Sequence, residues 1–87
     1  MGSQAKIIFR QYIVDQGLKS TPQRELILDE FLRLEHPSTE DLYQSLRSKH
    51  PNIGYATVHR ALKLFAECGI ATVRNFGDGA QRFESCS

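Results

Sequence analysis

Between Gly54 and Cys68 the chain sets Ala56, His59, Arg60 and Lys63 among apolar residues. At about 100° per residue these four share one side of a helix, while Val58, Ala61, Leu62 and Phe65 fall on the other. An imidazole can donate or accept a hydrogen bond, a guanidinium can fork onto two oxygens, and an ammonium is a compact point charge. Grouped near a helix N-terminus beside a small residue, they form a face suited to base edges and phosphates. A merely solvated face more often mixes Glu with Lys in i,i+4 pairs, yet no acid appears on this helix before Glu67. The wider charge pattern is polarised in the same sense. From Glu25 to Asp41 there are six acids against the single base Arg33, whereas from Leu42 to Ala66 there is no acid and Arg47, Lys49, Arg60 and Lys63 supply four bases. A polyanion is expected to approach from that side, although the whole chain carries only +1.

Other chemistry finds less support. His36, His50 and His59 fall on different predicted elements, and there is no Gly-rich phosphate loop, nucleophile elbow or zinc-hydrolase spacing. A chain of 87 residues has one small core, poorly suited to a deep substrate cavity, so a binding module is expected rather than an enzyme. Cys68 and Cys86 form neither a disulfide framework nor a zinc ribbon, and read as a small apolar residue and a tail thiol in a reducing compartment. The chain has no signal peptide and no apolar run near 18 residues, so a soluble, cytoplasmic protein is expected. The 40% hydrophobic and 24% charged shares are those of ordinary globular chains, which makes residues 1–87 a single domain.

The elements that must hold the basic face can be read from periodicity and punctuation. Ile8, Phe9, Tyr12 and Ile13 mark the buried side of a first helix over about Ala5 to Gln16, stopped by Gly17. Thr21-Pro22 opens a second, with Thr as the cap and Ile27, Leu28, Phe31 and Leu32 as its stripe. Ser38-Thr39-Glu40-Asp41 is a capping-box pattern for a third helix to about Ser48, burying Leu42, Leu46 and part of Tyr43. Pro51-Asn52-Ile53-Gly54 is a turn, and Ile53 and Val58 can form a hydrophobic staple that sets the entry angle of the fourth helix. After Gly69, the stretches Ile70 to Phe76 and Ala80 to Glu84 flank Gly77-Asp78-Gly79 as a β-hairpin. A mostly α chain closed by a small hairpin, with its third and fourth helices joined by a short turn, predicts a winged helix-turn-helix.

Three ordered motifs carry a further inference. Gly17-Leu18-Lys19-x-Thr21-Pro22-Gln23-Arg24, His36-Pro37-Ser38-x-Glu40-Asp41-Leu42-Tyr43 and Ile53-Gly54-x-Ala56-Thr57-Val58-His59-Arg60-Ala61-Leu62 together resemble the ferric uptake regulator family, and the likeness continues to Phe83-Glu84. The resemblance implies the N-terminal DNA-binding domain of a bacterial metal- or peroxide-responsive repressor, without the family's C-terminal dimerisation and metal domain. It implies that His59, usually a Tyr in the family, contacts bases in the major groove, and that Arg60 grips phosphate. Lys19 would enter an A/T-rich minor groove, with Arg24, Tyr55 and Thr57 near phosphates. Tyr55 also lies at the edge of the apolar arc, which leaves a mostly core role open as well.

The same resemblance places His36 and Glu84 at two ligand positions of a regulatory metal site. Two ligands are fewer than first-row metals need, so no cofactor is expected in this chain. Full-length members use Fe(II) or another divalent metal, often with structural Zn. They act as homodimers on pseudo-palindromic operators. This fragment, showing one apolar stripe per helix, is expected to be monomeric and to bind double-stranded DNA, with no membrane partner. The alternative is a winged helix used to bind protein.

Overall fold

The computed structural model describes residues 2–19, 21–35, 37–75 and 81–85. Helices α1 (Gly2–Asp15), α2 (Pro22–Arg33), α3 (Thr39–Arg47) and α4 (Tyr55–Glu67) precede strands β1 (Ala71–Asn75) and β2 (Gln81–Ser85). The strands pair antiparallel with Val73 opposite Phe83. This is the winged helix-turn-helix order. The Gly77-Asp78-Gly79 turn, His36 and Cys86 lie outside the described residues.

Local chemistry sets the helix ends. Thr21 accepts the Arg24 N–H at 3.2 Å, and Pro22 takes the first position of α2, where its missing N–H is not needed. In α3 the Ser38 hydroxyl accepts the Asp41 N–H while the Asp41 carboxylate accepts the Ser38 N–H, both at 3.1 Å. Helices α1 and α4 end alike. Gly17 and Gly69 take φ of 68° and 88°, and the amides of Leu18 and Ile70 turn back onto the carbonyls of Ile13 and Phe65 at 2.9 and 3.0 Å. A side chain at those φ values is strained, so glycine is the residue that lets each helix stop there.

The core centres on Phe65. Its ring meets Phe9 of α1 edge-on at 5.1 Å and Phe31 of α2 at 5.5 Å, which joins α1, α2 and α4. Val58, Ala61, Leu62 and Phe65 of α4, Leu42 and Leu46 of α3, and Phe83 of β2 are all buried. Each large apolar side chain contributes roughly 1.5–3 kcal/mol. Ile53 and Val58 share this core, at 3% and 0% exposure, as the staple requires.

On α1 the structure corrects the sequence reading. The buried stripe is Ala5, Phe9 and Ile13, whereas Ile8 is 46% exposed and Tyr12 half-buried. The docked face is centred on Ala5, Phe9 and Ile13, so Ile8 falls about 100° from its centre. Ile7 and Val14, at 64% and 71%, face outward, so α1 has apolar residues on a second side as well.

Two polar ties fix the helix-turn-helix. Glu30, 5% exposed on α2, accepts from Arg33 at 2.7 Å, from the Ser45 hydroxyl of α3, and from Lys49 at 3.4 Å. The Arg33 hydrogen bond, aided by Ser45 and the charges of Arg33 and Lys49, outweighs burial and holds this carboxyl down at about 2. At the other end of α3, the Pro37 carbonyl accepts the Phe83 N–H at 2.8 Å and Arg82 reaches the Asp41 carboxylate at 3.0 Å. The chain entering α3 thus runs as a short third member beside β2, bridged at Ser38 and Arg82.

Candidate nucleic-acid interface

Helix α4 presents the face its spacing predicts. Ala56, Arg60 and Lys63 are exposed, and Val58, Ala61, Leu62 and Phe65 hold the opposite side in the core. Gly54 begins the helix without a side-chain cap, so the first amides of α4 take no side-chain partner there. Tyr55 follows at 48% exposure, with its ring edge-on to Tyr43 of α3 at 5.6 Å; it is a surface residue braced by an aromatic neighbour, not a core residue. Thr57 is half-buried.

His59 is less free than its neighbours. It is half-buried, and its Nδ1 lies 3.4 Å from the hydroxyl of Thr39 at the start of α3. It also lines a concavity of about 420 Å³ between α4 and the hairpin, with Lys63, Val73, Gln81 and Phe83. A second concavity, of about 310 Å³, lies on the other flank of α4 and gathers Leu18, Arg24, Arg60, Lys63 and Leu64. Lys63 lines both hollows, so it sits on the crest between them. Glu67 closes both at the end of α4, where its carboxylate accepts the Tyr12 hydroxyl at 3.0 Å. That hydrogen bond, with burial and the charge of Glu67, raises the Tyr12 pKa.

Arg24 is brought to this surface by the N-terminal turn of α2, and its guanidinium donates to the Lys19 carbonyl at 2.5 Å. Lys19 itself is exposed in the loop between α1 and α2. The structure therefore brings Arg24, Arg60 and Lys63 to one hollow, with the Lys19 backbone tied to Arg24, while the acids of α2 are engaged elsewhere. Glu25 pairs with Arg10 at 2.6 Å and Asp29 with Lys6 at 2.5 Å, both against α1. Sequence reasoning missed the Thr39–His59 contact and the hairpin residues Val73 and Gln81 beside it. Their signal is tertiary, since Thr39 and His59 stand 20 positions apart.

The metal expectation gains no support among the described residues. No three His, Cys, Asp or Glu side chains come together there in a group that could hold an ion. Glu84 is paired with Arg74 across the hairpin at 2.5 Å, and His36 lies outside the described residues. Cys68 is partly buried, with its thiol raised by that burial and directed at the Phe65 carbonyl 3.5 Å away, as a small apolar residue would sit. No helix among the described residues is long and apolar enough to cross a membrane.

With this geometry in place, comparisons with known proteins agree on one family. A model of the ferric uptake regulator family matches residues 15–87. The peroxide operon regulator of Bacillus subtilis strain 168 is 37% identical over 71 residues, covering 80% of this chain and 49% of that protein. The ferric uptake regulation protein of the same organism is 44% identical over 77 residues, covering 86% and 52%. Among solved structures, the Helicobacter pylori ferric uptake regulator superposes with a TM-score of 0.87 at 26% identity, over 98% of this chain and 57% of that one. The chain spans about half the length of the curated relatives it matches.

Proposed function

The chain belongs to the ferric uptake regulator family, and from that membership we propose that it is the DNA-binding unit of a bacterial metal- or peroxide-responsive repressor, working in the cytoplasm as a binder and not as a catalyst. Helix α4 lies in the major groove. Ala56 permits close approach, His59 meets base edges, and Arg60 and Lys63 take phosphates on either side. Tyr55, Thr57 and the uncapped amides of α4 face the adjoining backbone, where a phosphate oxygen can serve the amides that Gly54 leaves without a side-chain partner. Arg24 neutralises a neighbouring phosphate and Lys19 reaches the flanking minor groove, whose negative potential is greatest over A/T-rich tracts.

The observation that carries the reading is the exposed run Ala56, Arg60 and Lys63 on a helix whose far side is fully buried, joined by Arg24 on one flank. A helix of 13 residues is about 20 Å long, enough to follow one major-groove passage. A metal or oxidant response and a homodimer acting at a pseudo-palindromic operator are part of the same proposed reading.

Footprinting on a pool of A/T-rich duplexes, with sheared random DNA as competitor, tests the reading. Protection of a discrete half-site that survives competitor is expected. Uniform protection abolished by competitor, together with capture of an acidic protein partner through the same α4 face, would replace it with a protein-binding winged helix.

A further inference from the structure

The junction of α3 and α4 holds a contact to which the DNA-binding reading assigns no role. Thr39 opens α3 at 8% exposure, so its hydroxyl hydrogen is largely shielded from solvent and is best satisfied by an acceptor within the protein. Among the described residues the polar partner of that hydroxyl is His59 Nδ1, at 3.4 Å, and His59 Nε2 has no protein partner. A neutral imidazole carries its hydrogen on one nitrogen only. With the hydrogen on Nδ1, the ring would donate to the Thr39 oxygen and leave a buried hydroxyl hydrogen facing no acceptor, the costly arrangement. With the hydrogen on Nε2, Nδ1 accepts from Thr39 and both groups are satisfied.

We propose that Thr39 is a positioning residue that holds His59 as its Nε2–H tautomer, so that α4 offers a hydrogen-bond donor to the base edges at this step. The assignment of the ligand rests on the DNA-binding reading above, whereas the tautomer is a property of the free chain. A donor selects N7 or O6 of guanine, N7 of adenine or O4 of thymine, and is mismatched to the amino group of cytosine. Because Thr39 is on α3 and His59 on α4, the readout depends on how the two helices pack and not on α4 alone.

Long-range 1H–15N correlation on the whole labelled chain, at alkaline pH where imidazoles are neutral, reads the tautomer directly. The His59 ring, identified by its absence in His59→Gln, is expected to show the Nε2–H form, retained in Thr39→Ser and averaged between forms in Thr39→Val. An Nδ1–H ring, or a ring already averaged in the unsubstituted chain, would overturn the assignment even if Thr39→Val does not fold. In selection from randomised duplexes, Thr39→Val is expected to weaken preference at one base pair by about three- to tenfold while affinity for random DNA is kept. Weakened preference at every position would make Thr39 a structural residue only. A fixed tautomer in a chain that selects no duplex would overturn the DNA-binding reading and the base contact with it. An averaged ring in a chain that does select duplexes would overturn the tautomer and leave the DNA-binding reading standing.

Discussion

The Arg24 guanidinium donates a hydrogen bond to the main-chain carbonyl of Lys19 at 2.5 Å, tying the first turn of α2 to the loop that follows α1. Lys19 is exposed, so without this tie its backbone would be held mainly by the Gly17 turn before it. The two residues therefore act as a pair, one fixing the point from which the other departs.

That pairing predicts non-additivity. In a double-mutant cycle of DNA affinity, Lys19→Ala and Arg24→Ala are expected to couple by roughly 0.5 kcal/mol or more, because losing Arg24 already displaces Lys19. Losses that add to within about 0.3 kcal/mol would separate the two residues.

Arg60→Ala and Lys63→Ala should weaken binding to all duplexes alike. Each should reduce the slope of log affinity against log salt by about 0.9, the counterion equivalent of one phosphate contact on B-DNA. Both side chains are exposed, so chain stability should change by no more than about 0.5 kcal/mol. Salt titrations of binding and thermal melts of each variant check both statements, and an unchanged slope would remove that residue from the backbone.

Glu30 links stability to acidity. Its carboxyl is lowered from an ordinary 4.5 to about 2 in the folded chain, chiefly by the Arg33 hydrogen bond. The unfolded chain therefore binds this proton first, so the stabilisation is complete above about pH 4.5 and is lost as pH falls through about 2. It is worth about 1–3 kcal/mol, the lower figure allowing for water around Arg33 and Lys49, which are 61% and 54% exposed. Glu30→Gln should lower stability at neutral pH and flatten the acid limb of a stability–pH curve from denaturant unfolding. An unaltered acid limb would assign that limb to other carboxylates.

The free chain should sediment as a monomer despite Ile7, Ile8 and Val14 on the outer side of α1. A helix of 14 residues is about 21 Å long and 10 Å wide, offering about 200 Å². A stable dimer needs about 800 Å² from each partner. Binding to operator half-sites should accordingly show little cooperativity, and joining two copies through a foreign dimeriser should raise avidity by roughly 10²–10⁴. Analytical ultracentrifugation showing a tight dimer that Ile7→Ser dissolves would make the α1 face an interface.

How much of this was legible depended on the range of each interaction. The capping pair Ser38 and Asp41, the stops at Gly17 and Gly69, and the buried arc of α4 are set within a few residues, so pattern alone located them. The burial of Ile8 was misread because α1 has apolar residues on more than one side, and which side turns inward is decided by packing against other helices, such as Phe9 on Phe65. Glu30 carried no local signal, since Ser45 and Lys49 come 15 and 19 positions later. Of the candidate DNA contacts, Arg60 and Lys63 followed from helical spacing alone. The bond from Arg24 to the Lys19 carbonyl and the seat of His59 on Thr39 needed the folded arrangement of α2, α3 and α4.

The Pro37 carbonyl that receives the Phe83 N–H also decides which edge of the hairpin is left at the outside. Because the chain entering α3 lies along β2, the outer edge of the hairpin is that of β1. This edge is five residues long and includes Arg74, whose ion pair with Glu84 of β2 an incoming strand would have to disturb. An extended segment approaching β1 therefore meets a short, charged edge, which disfavours continuing the sheet on that side.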